Sequence, residues 1–194
     1  MAENLAERGV RVTVVEGASH VMPPIDMDMA HQVHNYIRAQ GIDLYLGQTC
    51  TAMDKDGVIL KDGRKIPADM VILSIGVRPD TGFLKDSGIE LGARGEILVN
   101  SYMETSAPDV YALGDAASVR HIVSGKQVLI PLASPANKQG RIVGDNLCGR
   151  KTAYKGSQGT SIMKFFGLTV AVTGEKEESL QAQGRAFCKV ITTS

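Results

Sequence analysis

The sequence reads as an α/β protein organised in three parts, and three observations carry that reading. Amphipathic helix patterns alternate with short β-branched runs over residues 10–47. The run MVILSIG, residues 70–76, is apolar throughout, as expected of a parallel strand buried on both faces. A third run, 110–112, ends in Leu113-Gly114-Asp115, and a helix start at Ser134-Pro135 follows it. The breaks fall at VRPDTGF, 77–83, where proline and glycine mark a crossing segment, and near Thr152, where the composition changes. The expected parts are residues 1–78, 79–150 and 151–194.

The elements follow in order. MAENLAERG, 1–9, reads as the tail of a helix, with Leu5 on its apolar face and Gly9 closing it. VRVTVVE, 10–16, is a strand. Asp26 is placed to cap a helix in which Met29, Val33, Tyr36 and Ile37 form one stripe, ended by Gly41. IDLYLG, 42–47, is a strand, and a β-meander follows over 49–53, 58–60 and 65–67. Its Asp56-Gly57 and Asp62-Gly63 pairs suit primed hairpin turns. Beyond the crossing segment come strands at 96–99 and 110–112 and a hairpin over 122–130 about Ser124-Gly125. Ser134 as N-cap and Pro135 at the first helical position open a helix running to about Leu147. Two strand-like stretches, 161–174 and 185–193, flank a short polar helix whose exposed start is the run Glu175-Lys176-Glu177-Glu178.

Composition excludes some functions. Hydrophobic residues make up 43% and charged residues 22% of the 194, with 21 glycines and no tryptophan. Formal net charge is zero, which favours neither nucleic acid nor an anionic membrane as a partner. No apolar run approaches the ~20 residues of a membrane span, and no signal-peptide pattern is seen. Cys50, Cys148 and Cys188 are scattered without a CxxC, which points to a reducing, cytoplasmic setting and to incidental or buried thiols. His31 and His34 lie three apart on a helix, but no third ligand accompanies them, so no metal site is expected. His20 and His121 read as loop residues.

The Gly114-Asp115 pair is the main chemical signal. Such a pair can place a carboxylate at the carboxyl edge of a sheet, where nucleotides lie in open α/β folds. Aspartate can accept hydrogen bonds from two sugar-like hydroxyls, and the helix opening at Ser134 can stabilise negative charge on a ligand. Taken alone, the pair also reads as a plain turn or helix cap, and Glu16 as a solvated acid at a strand end.

Four ordered segments narrow the choice. TSAPDVYALGD (105–115) resembles the second FAD-binding signature of the pyridine nucleotide-disulfide oxidoreductases, and ILSIGVRPDT (72–81) resembles their crossing from NAD-binding to FAD-binding domain. LASPANKQGR (132–141) resembles the flavin-facing helix of the branch with coenzyme A disulfide reductases, NADH oxidases and NADH peroxidases. GTSIMKFFGLTVAVTG (159–174) is similar to the opening of their dimerisation domain. The resemblance implies Rossmann-like NAD-binding (1–78) and FAD-binding (79–150) domains of the three-layer ββα type, both incomplete. The start of an α+β dimerisation domain (151–194) and a homodimer go with them. It implies that Asp115 binds the ribityl chain of FAD, that Gly114 allows close approach, and that Ala133 and Ser134 face the flavin ring. Asn137 would reach a coenzyme A-like substrate, Glu16 the adenosine ribose of NAD, and Gly76 would lie under the nicotinamide nucleotide. No arginine directly follows Glu16, which favours NADH over NADPH.

The implied activity is electron transfer from NAD(P)H through flavin and a redox cysteine to a disulfide such as coenzyme A disulfide, to oxygen or to peroxide. The two GxGxxG loops and the redox cysteine of the family pattern have no counterpart in these 194 residues, so no catalytic residue is assigned. The chain is accordingly expected to be an internal to C-terminal fragment. By itself it should be inactive, bind cofactor weakly, and bury its open strand edge and the Leu5 face in an oligomer.

Overall fold

The computed structural model describes residues 1–192; Thr193, the last position of the expected strand at 185–193, and the terminal Ser194 lie outside the described residues. The chain divides into two compact units, residues 1–74 with 163–170 and 176–194, and residues 75–162 with 171–175.

In the first unit, helix α1 (Ala2–Ala6) leads into strand β1 (Thr13–Glu16). Helix α2 (Met27–Ala39) then returns the chain to strand β2 (Asp43–Leu46), which pairs with β1 in parallel from Thr13↔Asp43 to Glu16↔Leu46. The buried face of α2 is Ala30, Val33, His34 and Ile37. Met29, expected in the stripe, is exposed, because the helix turns its face towards His34 instead. Asp26 holds the N-cap backbone position, but its side chain makes no cap bond to α2.

The meander forms as read: β3 (Cys50–Asp54), β4 (Gly57–Leu60) and β5 (Lys65–Pro67) pair antiparallel in sequence order. Val58, Leu60 and Ile66 make its core, with Val15 and Tyr45 packed against them. Its turns are not the primed type, since neither Asp56 nor Asp62 has positive φ; Gly57 (φ 146) and Gly63 (φ 85) carry that geometry alone. A Cβ at Gly57 would collide with the Ile66 carbonyl oxygen, which makes this glycine obligatory.

The run 70–76 forms no strand. An apolar run becomes a buried strand only when a neighbour completes its ladder, and none among the described residues does. Met70, Leu73 and Ile75 are 60%, 62% and 90% exposed. Residues 185–192 likewise form no strand. The polar helix is present as α4 (Glu177–Ala182), and it is Asp26 that caps it: the Glu177 and Glu178 N–H groups donate to its carboxylate at 2.8 and 3.0 Å. Glu177 is half-buried, so the helix start is only partly exposed. His20, expected in an open loop, is buried; its Nδ1–H donates to the Val21 carbonyl at 2.8 Å.

The second unit is built around Val99, Met103, Ala117, Val119, Ile130, Val143 and Tyr154. The strands expected at 96–99 and 110–112 shrink to single bridges, Ile97 with Leu91 and Ala117, and Tyr111 with Glu104. The hairpin starts earlier than expected, with β6 (Ser118–Arg120) pairing β7 (Gln127–Leu129) across a turn that contains Gly125 (φ 73). His121 in that turn is buried, not a loose loop residue; its Nε2–H donates to the Gln158 carbonyl at 3.2 Å. Helix α3 (Ala133–Leu147) begins one residue before the expected cap, so Leu132 is the N-cap and Ser134 already lies inside the helix. Strands β8 (Ser161–Phe165) and β9 (Leu168–Val172) form a two-stranded sheet, most of which, residues 163–170, belongs to the first unit; its tip turns at Phe166 (φ 49) and Gly167.

Candidate functional site

The site is assembled in the second unit around a short 3-10 turn, Gly114–Ala116, that follows the bridge at Tyr111. Gly114 has φ 82, a conformation that a side chain strains, and nothing lies within 4 Å of where a Cβ would sit. Its N–H donates to Gln139 Oε1 at 2.7 Å. Gln139 stands on α3 and is 1% exposed, so a buried amide fixes the turn to the helix. Sequence reasoning missed this residue. The signal was available: Pro135, Gln139 and Val143 recur every four residues, and all three are buried on one face of α3.

Asp115, next in the turn, is exposed and has no protein partner for its carboxylate among the described residues. At the N-terminus of α3, the N–H groups of Ala133 and Ser134 meet no protein acceptor, and Pro135 has no N–H to offer. Intrahelical bonding starts with the Ala136 N–H and the Leu132 carbonyl at 3.1 Å. Two free donors at the positive end of a fifteen-residue helix can stabilise an electron-rich ligand edge. Ala133, Ser134 and Asn137 also line a shallow depression of about 390 Å³ together with Lys138 and Arg141. These two cations, exposed on the same helix, were not anticipated as site residues.

The structure therefore brings Gly114 and α3 together through Gln139, and it groups Ala133, Ser134 and Asn137 along one depression. Glu16 ends β1 in the first unit, where its Oε1 accepts the Ala18 N–H at 2.8 Å. Gly76 is exposed, has φ 93 and has no atom within 4 Å of a would-be Cβ. The three cysteines are free and exposed, which corrects any expectation that they are buried. No cluster of potential metal ligands occurs among the described residues. No helix of the described residues is long and apolar enough to cross a membrane.

In open α/β folds nucleotides lie at the carboxyl ends of the strands, and helix N-termini there favour anionic groups. This chain belongs to the pyridine nucleotide-disulphide oxidoreductase family, whose sequence profile matches residues 1–140. It is 34% identical over 200 residues to the NAD(P)H sulfur oxidoreductase (CoA-dependent) of Pyrococcus furiosus, covering 99% of this chain and 45% of that protein. Among solved structures it resembles reduced CoADR-RHD of Bacillus anthracis, with a TM-score of 0.92, 44% identity, and coverage of 96% of this chain and 34% of that one. The water-forming NADH oxidase from Lactobacillus brevis, bound to NADH, matches with a TM-score of 0.88 and 32% identity over 95% of this chain and 42% of that chain. The α/β fold is thus that of the family, and the chain spans less than half the length of these relatives.

Proposed function

We propose that the chain forms part of a flavoprotein that takes electrons from NAD(P)H and passes them through FAD and a redox cysteine to a disulfide, such as coenzyme A disulfide, to oxygen or to peroxide. The observation that carries this reading is the Gly114-Asp115 turn held to α3 by Gln139. Its features fit a flavin nucleotide: open space beside Gly114, an unpartnered carboxylate, and two free helix N–H groups. FAD, when bound, supplies the hydride and electron chemistry; the protein supplies position and electrostatics.

The roles follow from the side chains. Asp115 accepts hydrogen bonds from the ribityl hydroxyls, and Gly114 lets the backbone approach. The Ala133 and Ser134 N–H groups stabilise negative charge at the pyrimidine edge of the ring. Asn137 reaches a coenzyme A-like substrate, and the neighbouring Lys138 and Arg141 suit its anionic groups. Glu16 keeps one carboxylate oxygen for the adenosine ribose of NAD(P)H, and the open Gly76 permits contact with the nicotinamide nucleotide. Residues 1–78, 79–150 and 151–194 then correspond to the NAD-binding part, the second FAD-binding part and the start of a dimerisation domain in a cytoplasmic homodimer. A second reading concerns the 194 residues by themselves. They contain no GxGxxG loop to cradle a pyrophosphate, which favours weak or no cofactor binding and no turnover in isolation.

The test is FAD titration followed by flavin fluorescence, with the visible spectrum of the protein as purified. The main reading expects saturable binding that Asp115→Ala weakens about tenfold, the loss of charge-assisted hydrogen bonds. Equal affinity of the two proteins would remove Asp115 from the site. A colourless protein with no saturable FAD binding would support the second reading.

A further inference from the structure

Asn146, in the last turn of α3, has its whole side-chain amide engaged. Its Nδ2 donates to the Tyr102 carbonyl at 2.8 Å and to the Thr152 carbonyl at 3.0 Å, and its Oδ1 accepts the Thr152 N–H at 2.7 Å. These partners fix the orientation of the amide, because the flipped form would set its oxygen against two carbonyls. Asn146 lies two helical turns beyond Gln139, so both amides project from one side of α3. The Tyr102 carbonyl belongs to the peptide that leads into Met103. Met103 is 1% exposed and has φ 65, a left-handed conformation that strains a side chain and persists only where its surroundings hold it. The Met103 carbonyl accepts the Ala112 N–H at 3.1 Å, and Gly114 follows two residues after Ala112.

We propose that Asn146 is a positioning residue for the Gly114-Asp115 turn. By holding the Tyr102 carbonyl it keeps the Met103 backbone left-handed, and the Met103 carbonyl then fixes Ala112 and the turn behind it. Helix α3 thus grips the turn twice. Gln139 holds the Gly114 N–H directly, at 2.7 Å, and Asn146 holds the segment that delivers Gly114 to it. That segment closes on itself between the two grips: the Thr105 N–H donates to the Val110 carbonyl at 2.9 Å, and Glu104 bridges Tyr111. A closed segment of this kind transmits a shift at Tyr102 to Ala112 instead of absorbing it. The same amide also ties Thr152 to the end of α3, so the contact to Tyr102 has to be separated from the contact to Thr152. The inference rests on the cofactor reading above for the role of the turn, and it adds how the turn is kept in place.

Native-state amide exchange of the purified chain, followed by NMR, tests the inference with Asn146→Asp and Asn146→Ala. Aspartate keeps an acceptor for the Thr152 N–H and loses the donor to Tyr102; alanine loses both. The Ala112 and Gly114 N–H groups should exchange about tenfold faster in both variants, relative to the His121 N–H, which donates to the Lys126 carbonyl at 2.8 Å. The Thr152 N–H should exchange faster in Asn146→Ala alone. Thr81→Val is the control for general loosening. Thr81 is 5% exposed and its Oγ1–H donates to the Gly95 carbonyl at 2.6 Å, so this variant weakens the same unit elsewhere and should leave the ratio at Ala112 and Gly114 unchanged. Wild-type ratios in Asn146→Asp would overturn the proposal, since Asn146 would then act through Thr152. So would a ratio that rises as much in Thr81→Val, or the failure of both Asn146 variants to fold, which would make Asn146 a support of the whole unit. If one variant fails to fold, the other carries the comparison. Exchange is read without FAD, so its outcome is distinct from a failure of FAD to bind.

Discussion

Gln139→Met tests the link that holds the site together. Methionine matches glutamine in length and lacks a strong acceptor, so the Gly114 N–H loses its 2.7 Å partner while the helix face stays filled. Gln139 is 1% exposed, so water does not readily replace the lost oxygen. A buried donor left without an acceptor costs about 1–3 kcal/mol. In a protein of this size each kcal/mol lowers Tm by about 2–4 °C, so a fall on the order of 5 °C is expected. Thermal and urea unfolding followed by circular dichroism measure it. Lys138→Ala, an exposed change at the adjacent position, should shift Tm by less than about 1 °C. If Gln139→Met left Tm and the urea midpoint where they were, the turn would be held by something other than this amide.

Two further predictions concern the first unit. Burial, with the positive charges of Arg38, His31 and His20 nearby, holds the His34 imidazole below its ordinary pKa of 6.5. Its neutral Nε2 accepts the Val21 N–H at 3.2 Å. The unfolded chain therefore binds the extra proton first. This contribution to stability is present above pH 6.5 and is lost as pH falls through the folded-state value. Unfolding midpoints between pH 7 and 5 should fall less steeply in His34→Gln; identical slopes would contradict the assignment. Asp26→Ala removes the carboxylate that accepts the Glu177 and Glu178 N–H groups and should destabilise α4 by about 1–2 kcal/mol. Faster amide exchange over Glu177–Ala182, with α2 unchanged, would show it.

What the sequence made legible was local. Helices α2 and α3 and the meander announce themselves by periodicity, by Asp-Gly turns and by glycines beyond their ends. The α/β class and the family also followed, the latter because 105–115 and 132–141 carry specific residue patterns. What failed depended on distant partners. Residues 70–76 have the composition of a central strand, but composition does not supply the neighbour that would complete the ladder. The segments at 96–99 and 110–112 keep only bridges for the same reason. Asp26 takes the expected N-cap position of α2, but its carboxylate accepts from the N–H groups at the start of α4, a partner 151 residues away that no local pattern signals. Ser134 yielded the cap position to Leu132 although its Ser-Pro signal was sound. In the site, Gln139 was hidden by its polarity: a glutamine in an apolar stripe is easily passed over unless its burial demands a partner.

The Asp26 contact also orders events during synthesis. A six-residue helix has too few turns to persist unaided in water, and α4 draws its cap from a carboxylate 151 residues earlier in the chain. The first unit takes up residues 163–170 and 176–194, while residues 75–162 belong to the second. A ribosome making this chain releases nearly all of the second unit before α4 exists. The first unit must therefore wait with Asp26 unengaged, so residues 1–74 precede the second unit in synthesis and are completed after it.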